Sequence, residues 1–167
     1  MPGGSSLARL LFYYQIVSAW WGRIQYTVMG RVLAIDYGLK RTGIAVTDPL
    51  RIIATPLETV LTHGLLSFLK AYTEREDVDE FVIGMPRTLK NEDSAIAPDV
   101  RKFIVTLKAA FPEKAVHEVD ERFTSSMAHK AMIEGGMKKK DRQVKGNADK
   151  ISATLILQGF MNATKRL

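Results

Sequence analysis

Acidic residues recur at the ends of apolar segments, where they could share one site. Asp36 ends the β-prone run 32–35, and a carboxylate beside a buried strand needs a cation or hydrogen bonds. Asp120 and Glu121 end a second such run, 116–119. Adjacent residues of an extended chain face opposite ways, so only one of the two need face a shared site. Asp149 lies near the start of a C-terminal helix, with the small residues Ser152 and Ala153 on its face. Three carboxylates from two strand ends and a helix start make a hard-oxygen site suited to Mg²⁺ or Mn²⁺. Two such ions about 4 Å apart can activate water and stabilise the leaving oxygen in phosphodiester hydrolysis. Each acid also has a plainer reading. Asp36 could cap the Tyr37-Gly38 turn, Asp120 and Glu121 could pair with Arg122 at the surface, and Asp149 could serve the helix dipole.

Cations follow the acids along the chain. Lys40 and Arg41 occupy the first turn, Arg87 follows Pro86, and Arg122 adjoins Glu121. Lys138, Lys139, Lys140, Arg142 and Lys145 crowd a late loop, which is either a phosphate-holding segment or merely a solvated one. Lys and Arg outnumber Asp and Glu by 24 to 18, a net charge of +6 that would attract polyanions. Other chemistries find little support. There is no cysteine, which removes disulfides and thiolate metal sites. His63, His117 and His129 are scattered, are expected at the surface or in turns, and offer no zinc pair. No nucleophile elbow marks a Ser-His-Asp triad.

The elements that must position these groups alternate between β and α. Residues 32–35 predict a strand buried on both faces, 37–42 a glycine-containing turn, and 43–47 a strand returning beside the first. Asp48-Pro49 ends that strand, and 52–60 supplies a third, interrupted at Pro56. Leu65, Phe68, Leu69 and Tyr72 recur at helical spacing, and 81–83 predict a short buried strand closed by Gly84-Met85-Pro86. A second helix aligns Ile96, Val100, Phe103, Ile104, Leu107 and Phe111, with Pro98 tolerated in its first turn. After the 116–119 strand, Thr124 or Ser125 can cap a short helix through Ile133. Residues 135–146 form a basic loop, and Asn147 can cap a last helix to about Asn162. The order βββαβαβαα describes an α/β domain, a hairpin sheet extended by crossover strands.

Four blocks carry a family likeness: AIDYGLKRTGIAVTD (34–48), VIGMPRTLKNEDSA (82–95), VDERFTSSMA (119–128) and ADKISATLILQGFM (148–161). In order and spacing they resemble the YqgF/RuvX family. The resemblance implies a ribonuclease H-like fold, with a five-stranded mixed sheet of order 3-2-1-4-5 flanked by helices. It further implies a cytoplasmic bacterial nuclease maturing the precursor of small-subunit ribosomal RNA, under an older label of Holliday junction resolvase. Asp36, Glu121 and Asp149 match the family's acidic metal-binding positions, and Arg41 and Arg122 match its basic ones. The chain departs from the pattern at Asn91-Glu92-Asp93-Ser94, where a glycine is common, and at Phe123-Thr124-Ser125.

The expectation is therefore a metal-dependent endonuclease. Asp36, Glu121 and Asp149 would be its catalytic and metal-binding acids, using Mg²⁺ or Mn²⁺ as a two-ion site. Lys40, Arg41, Arg87, Arg122 and Lys139 would bind nucleic acid. The competing expectation is a non-catalytic nucleic-acid-binding module, because one fold serves both. An actin-like ATPase is suggested by Asp36-Tyr37-Gly38, but it needs a second domain that 167 residues do not supply. Structured RNA and branched DNA both stay open as partners, as do a monomer and a weak homodimer, and a role for Asp120. Residues 31–162 are expected to be the nuclease domain, 163–167 a tail, and 1–30 an extension outside the domain. Its run 10–21 is shorter than the roughly 20 residues of a membrane span, so no stable membrane association is expected.

Overall fold

The structure, a computed structural model, describes residues 29–86, 93–120 and 145–164. Five strands make one sheet: β1 (Arg31–Asp36), β2 (Arg41–Thr47), β3 (Ala54–Leu61), β4 (Val78–Met85) and β5 (Ala115–Asp120). Their order is β3-β2-β1-β4-β5, with β1–β2 and β2–β3 antiparallel and β1–β4 and β4–β5 parallel. This is the mixed sheet expected from the sequence. A short 3₁₀ turn (Thr62–Gly64) leads into α1 (Leu65–Thr73), α2 (Ala97–Ala110) joins β4 to β5, and α3 (Lys145–Thr164) closes the described chain.

Side-chain size differs between the two faces of the sheet, and that difference sets how closely helices approach. Leu33, Ile35, Ile44, Val46, Phe81 and Ile83 fill one face and pack beneath α1 and α2, which contribute Leu65, Leu69, Val100, Ile104 and Leu107. The other face presents Val32, Ala34, Ala45 and Val82 to α3. Along α3, Asp149, Ser152, Ala153, Ile156 and Leu157 fall at i, i+3, i+4, i+7 and i+8, one stripe of a helix. Ser152, Ala153, Ile156 and Leu157 are all buried on that stripe. Burying Ile156 and Leu157 contributes about 2 kcal/mol each and holds the helix by its middle. Small residues on both sides then let its N-terminal turns come close to the sheet.

Several boundaries differ from the sequence reading. The strand expected at 81–83 extends over Val78–Met85, because a central parallel strand stays paired wherever its neighbours run. The third strand starts at Ala54, later than expected. Pro56 does not break it, since β3 is an edge strand and a register shift opposite Ile44 and Ala45 absorbs the proline. The last helix begins at Lys145, so Asn147 lies inside it and is not its cap, and the expected basic loop ends sooner. The helix expected from Thr124 or Ser125 lies outside the described residues.

The β2–β3 turn is held by Asp48. One carboxylate oxygen accepts the N–H groups of Ile52 and Ile53, each at 2.7 Å, and the other accepts that of Leu50 at 3.1 Å. The Ile53 N–H foremost, helped by those of Ile52 and Leu50, outweighs desolvation and holds the carboxyl below its ordinary 3.8. A depressed folded-state value means stability that is present above the unfolded value and is lost as pH falls through the folded one. The wild type should therefore lose stability progressively below about pH 4. Asp48→Asn, which keeps one acceptor oxygen but cannot titrate, is expected to flatten that acid limb in urea unfolding. An unchanged pH dependence would show that Asp48 does not contribute to it.

Candidate active site

Asp36 is the last residue of β1, at the carboxyl end of the parallel strands where α/β sheets gather ligands. Its cross-strand partner on β2 is Gly43. Strand alternation places Asp36 with Val32 and Ala34, and Gly43 with Ala45, on the α3 face. Gly43 is where α3 touches down: a Cβ there would stand 2.0 Å from the carbonyl oxygen of Asp149 and 2.2 Å from its carbonyl carbon. Only a residue without a side chain admits the helix backbone at that distance. The close approach sets Asp149 over the strand pair that carries Asp36.

The first turn of α3 is fixed from the edge strand as well. Thr59 on β3 donates its hydroxyl to the carbonyl of Gly146 at 2.7 Å. The Asp36–Lys40 corner has its own clamp. Thr62 donates its hydroxyl to the Gly38 carbonyl at 2.6 Å and its N–H to the Lys40 carbonyl at 3.1 Å. A Cβ on Gly38 would meet the Arg41 carbonyl oxygen at 2.3 Å, so this corner too requires glycine. Tyr37 stacks on Phe103 with ring centroids 5.2 Å apart, and burial, seconded by the charge of Asp99, pushes its hydroxyl pKa up. The corner is thus a built feature and presents Lys40 to solvent.

Arg41, the first residue of β2, lies on the same face as Gly43 by strand alternation. Its Nε donates to Asp149 Oδ2 at 3.1 Å, joining residues 108 positions apart. Asp120 falls on the other side of the sheet. Its partner on β4 is Met85, which packs in the core beneath α1 and α2, as Val116 does two pleats earlier on β5.

Of the acids expected from the sequence, Asp36 and Asp149 are brought to one end and one face of the sheet. Glu121 lies outside the described residues, as do Arg87, Arg122 and Lys139. Among the described residues no three acids or histidines converge in a cluster able to hold a metal ion. His63 lies exposed in the 3₁₀ turn, and His117 is half-exposed on the edge strand β5. The His117 Nε2 is 2.8 Å from Glu80 Oε2 and its ring centroid lies 4.9 Å from that of Phe160. Gly43 and the Thr62 clamp went unremarked at the sequence level. A glycine inside a β-prone run was the signal for the first, while the second has no local signature.

A family model described as "RuvX: Holliday junction resolvase" matches residues 30–163. A protein of Amoebophilus asiaticus carrying the provisional name pre-16S rRNA nuclease is 49% identical over 138 residues, covering 83% of this chain and 98% of its own. One from Bacteroides fragilis, with the same provisional name, is 51% identical over 139 residues, 83% of this chain and 100% of its own. Among solved structures, Thermus thermophilus RuvC bound to a Holliday junction substrate is similar in fold, with a TM-score of 0.50 at 18% identity. That likeness covers 81% of this chain and 96% of RuvC. With a family model matched across most of its length and relatives about half identical to it, the chain belongs to the RuvX family.

Proposed function

We propose that this chain is a divalent-metal-dependent endonuclease that hydrolyses a phosphodiester bond in the precursor of small-subunit ribosomal RNA, in the cytoplasm. The observation carrying this reading is the touchdown of α3 on Gly43, which gathers Asp149 and Asp36 on one face. The names of the relatives supply the substrate class. Among the described residues no helix is long and apolar enough to cross a membrane.

The donor set fits Mg²⁺ or Mn²⁺: both gathered acids offer carboxylate oxygens, the hard donors that these ions prefer. Asp36 and Asp149 would hold the ions, with Glu121 as the third donor. Asp120 lies on the opposite face of the sheet and takes no part in this reading. Divalent ions bound there supply Lewis-acid stabilisation of a phosphodiester under attack by water. The chain's own groups do the positioning. The clamped corner offers Lys40 to a phosphate flanking the scissile bond. Arg87, Arg122 and Lys139 would extend that basic track.

The test is Mn²⁺-dependent cleavage by the full chain of single-stranded RNA carrying the precursor sequence, against a four-way DNA junction. Cutting of RNA alone is expected. Cutting of the junction alone would replace the RNA reading with that of a resolvase. Binding without cleavage of either would favour the non-catalytic nucleic-acid-binding module.

A further inference from the structure

We propose that Arg41 is a resident counter-cation of this site. Its guanidinium occupies Asp149 until a divalent ion takes that carboxylate, and the arginine so released turns to the phosphate of the nucleic acid. The inference rests on the metal-site reading above and adds a positioning residue to it. Three observations carry it. The pair is long-range, from the first residue of β2 to α3, with Nε and Oδ2 3.1 Å apart. It lies on the face that also holds Asp36, so Arg41 offsets the repulsion of two carboxylates gathered by the touchdown at Gly43. The Arg41 side chain is 39% exposed against 27% for Asp149, so the arginine is the partner with room to leave.

Competition follows from electrostatics. A divalent ion and a guanidinium claiming one carboxylate repel each other at close range, and the more highly charged ion wins the hard oxygen. An arginine displaced beside bound cations then meets the one anion the site is built to receive. A planar guanidinium suits phosphate oxygens. Linkage makes the effect reciprocal: whatever draws Arg41 away from Asp149 tightens metal binding, and metal binding readies Arg41 for phosphate. Arg41 would thus keep the acids neutralised and in place when no ion is bound.

Mn²⁺ binding to the full chain without nucleic acid, followed by the electron paramagnetic resonance of free Mn²⁺, tests this without any turnover. Arg41→Gln is expected to bind Mn²⁺ about tenfold more tightly than wild type, because the competitor is gone. Arg41→Lys, which keeps the charge, should stay near wild type, and Asp149→Asn should bind far more weakly. If circular dichroism shows that Arg41→Gln disturbs the fold, Arg41→Met keeps the aliphatic stem and serves the same comparison. Equal or weaker Mn²⁺ binding by the folded neutral variant would overturn the proposal and leave the pair as a structural tie. Absence of Mn²⁺ binding by wild type and variants alike would overturn the metal-site reading itself, and this inference with it. Wild-type affinity in Asp149→Asn would remove Asp149 as the shared ligand, with the same consequence for Arg41.

Discussion

Asp36→Asn is expected to lower Mn²⁺-dependent cleavage by about a thousandfold or more while leaving the fold in place. The carboxamide has nearly the shape of the carboxylate, so the β1–β2 ladder, which pairs Asp36 with Gly43 through the backbone, has no reason to change. What disappears is a unit of negative charge and an anionic oxygen donor at the point where the proposed ions would bind. The thermal midpoint should stay within a few degrees of wild type, while activity collapses. A single-turnover assay beside a thermal melt separates the two effects. Cleavage at the wild-type rate would remove Asp36 from the chemistry. A large fall in the melting temperature would mean that its carboxylate serves the fold first.

Much of this arrangement was legible in the sequence, and the parts that were not share a cause. The β-prone runs that became β1, β2 and β5 and the helical stripes of α1 and α2 are local patterns. A local pattern is set by which face meets the core. Asp36 and Asp149 stood out because charged residues at the ends of apolar segments need a reason. Ser152 and Ala153 stood out as small residues on the face of Asp149, and both are buried against the sheet. Their counterpart on β2, Gly43, was invisible as a contact because nothing in a strand's own sequence states which helix will cross it. The same holds for Arg41. Its charge suggested a phosphate ligand, whereas its partner in the structure is an aspartate 108 residues away. Asp120 and Glu121 could not be told apart until β5 had a register. Met85 opposite Asp120, and Val116 earlier on the strand, then fixed which face Asp120 takes.

Gly43→Ala is expected to be the most damaging single methyl in the described chain, because the added Cβ has nowhere to go. It would sit 2.0 Å from the Asp149 carbonyl oxygen, 2.2 Å from the carbonyl carbon and 2.9 Å from the Lys150 nitrogen, all backbone atoms of α3. No rotamer change can relieve a clash with main chain, so the helix must lift or β2 must bend. Ile156 and Leu157 stay buried further along α3 and resist the first, while β1 and β3 on either side of β2 resist the second. The cost should be about 3 kcal/mol, a fall of roughly 10 °C in the melting temperature. Activity should fall further than stability accounts for, since the lifted end of α3 carries Asp149 away from Asp36. Gly159→Ala on the same helix supplies the control. A Cβ there meets nothing within 4 Å, so exchanging a helical glycine for alanine should stabilise by about 0.5–1 kcal/mol with cleavage intact. If Gly43→Ala melted like wild type and cut nucleic acid normally, α3 would not be seated on β2 as described. The site assembled from Asp36 and Asp149 would then lose its geometric basis.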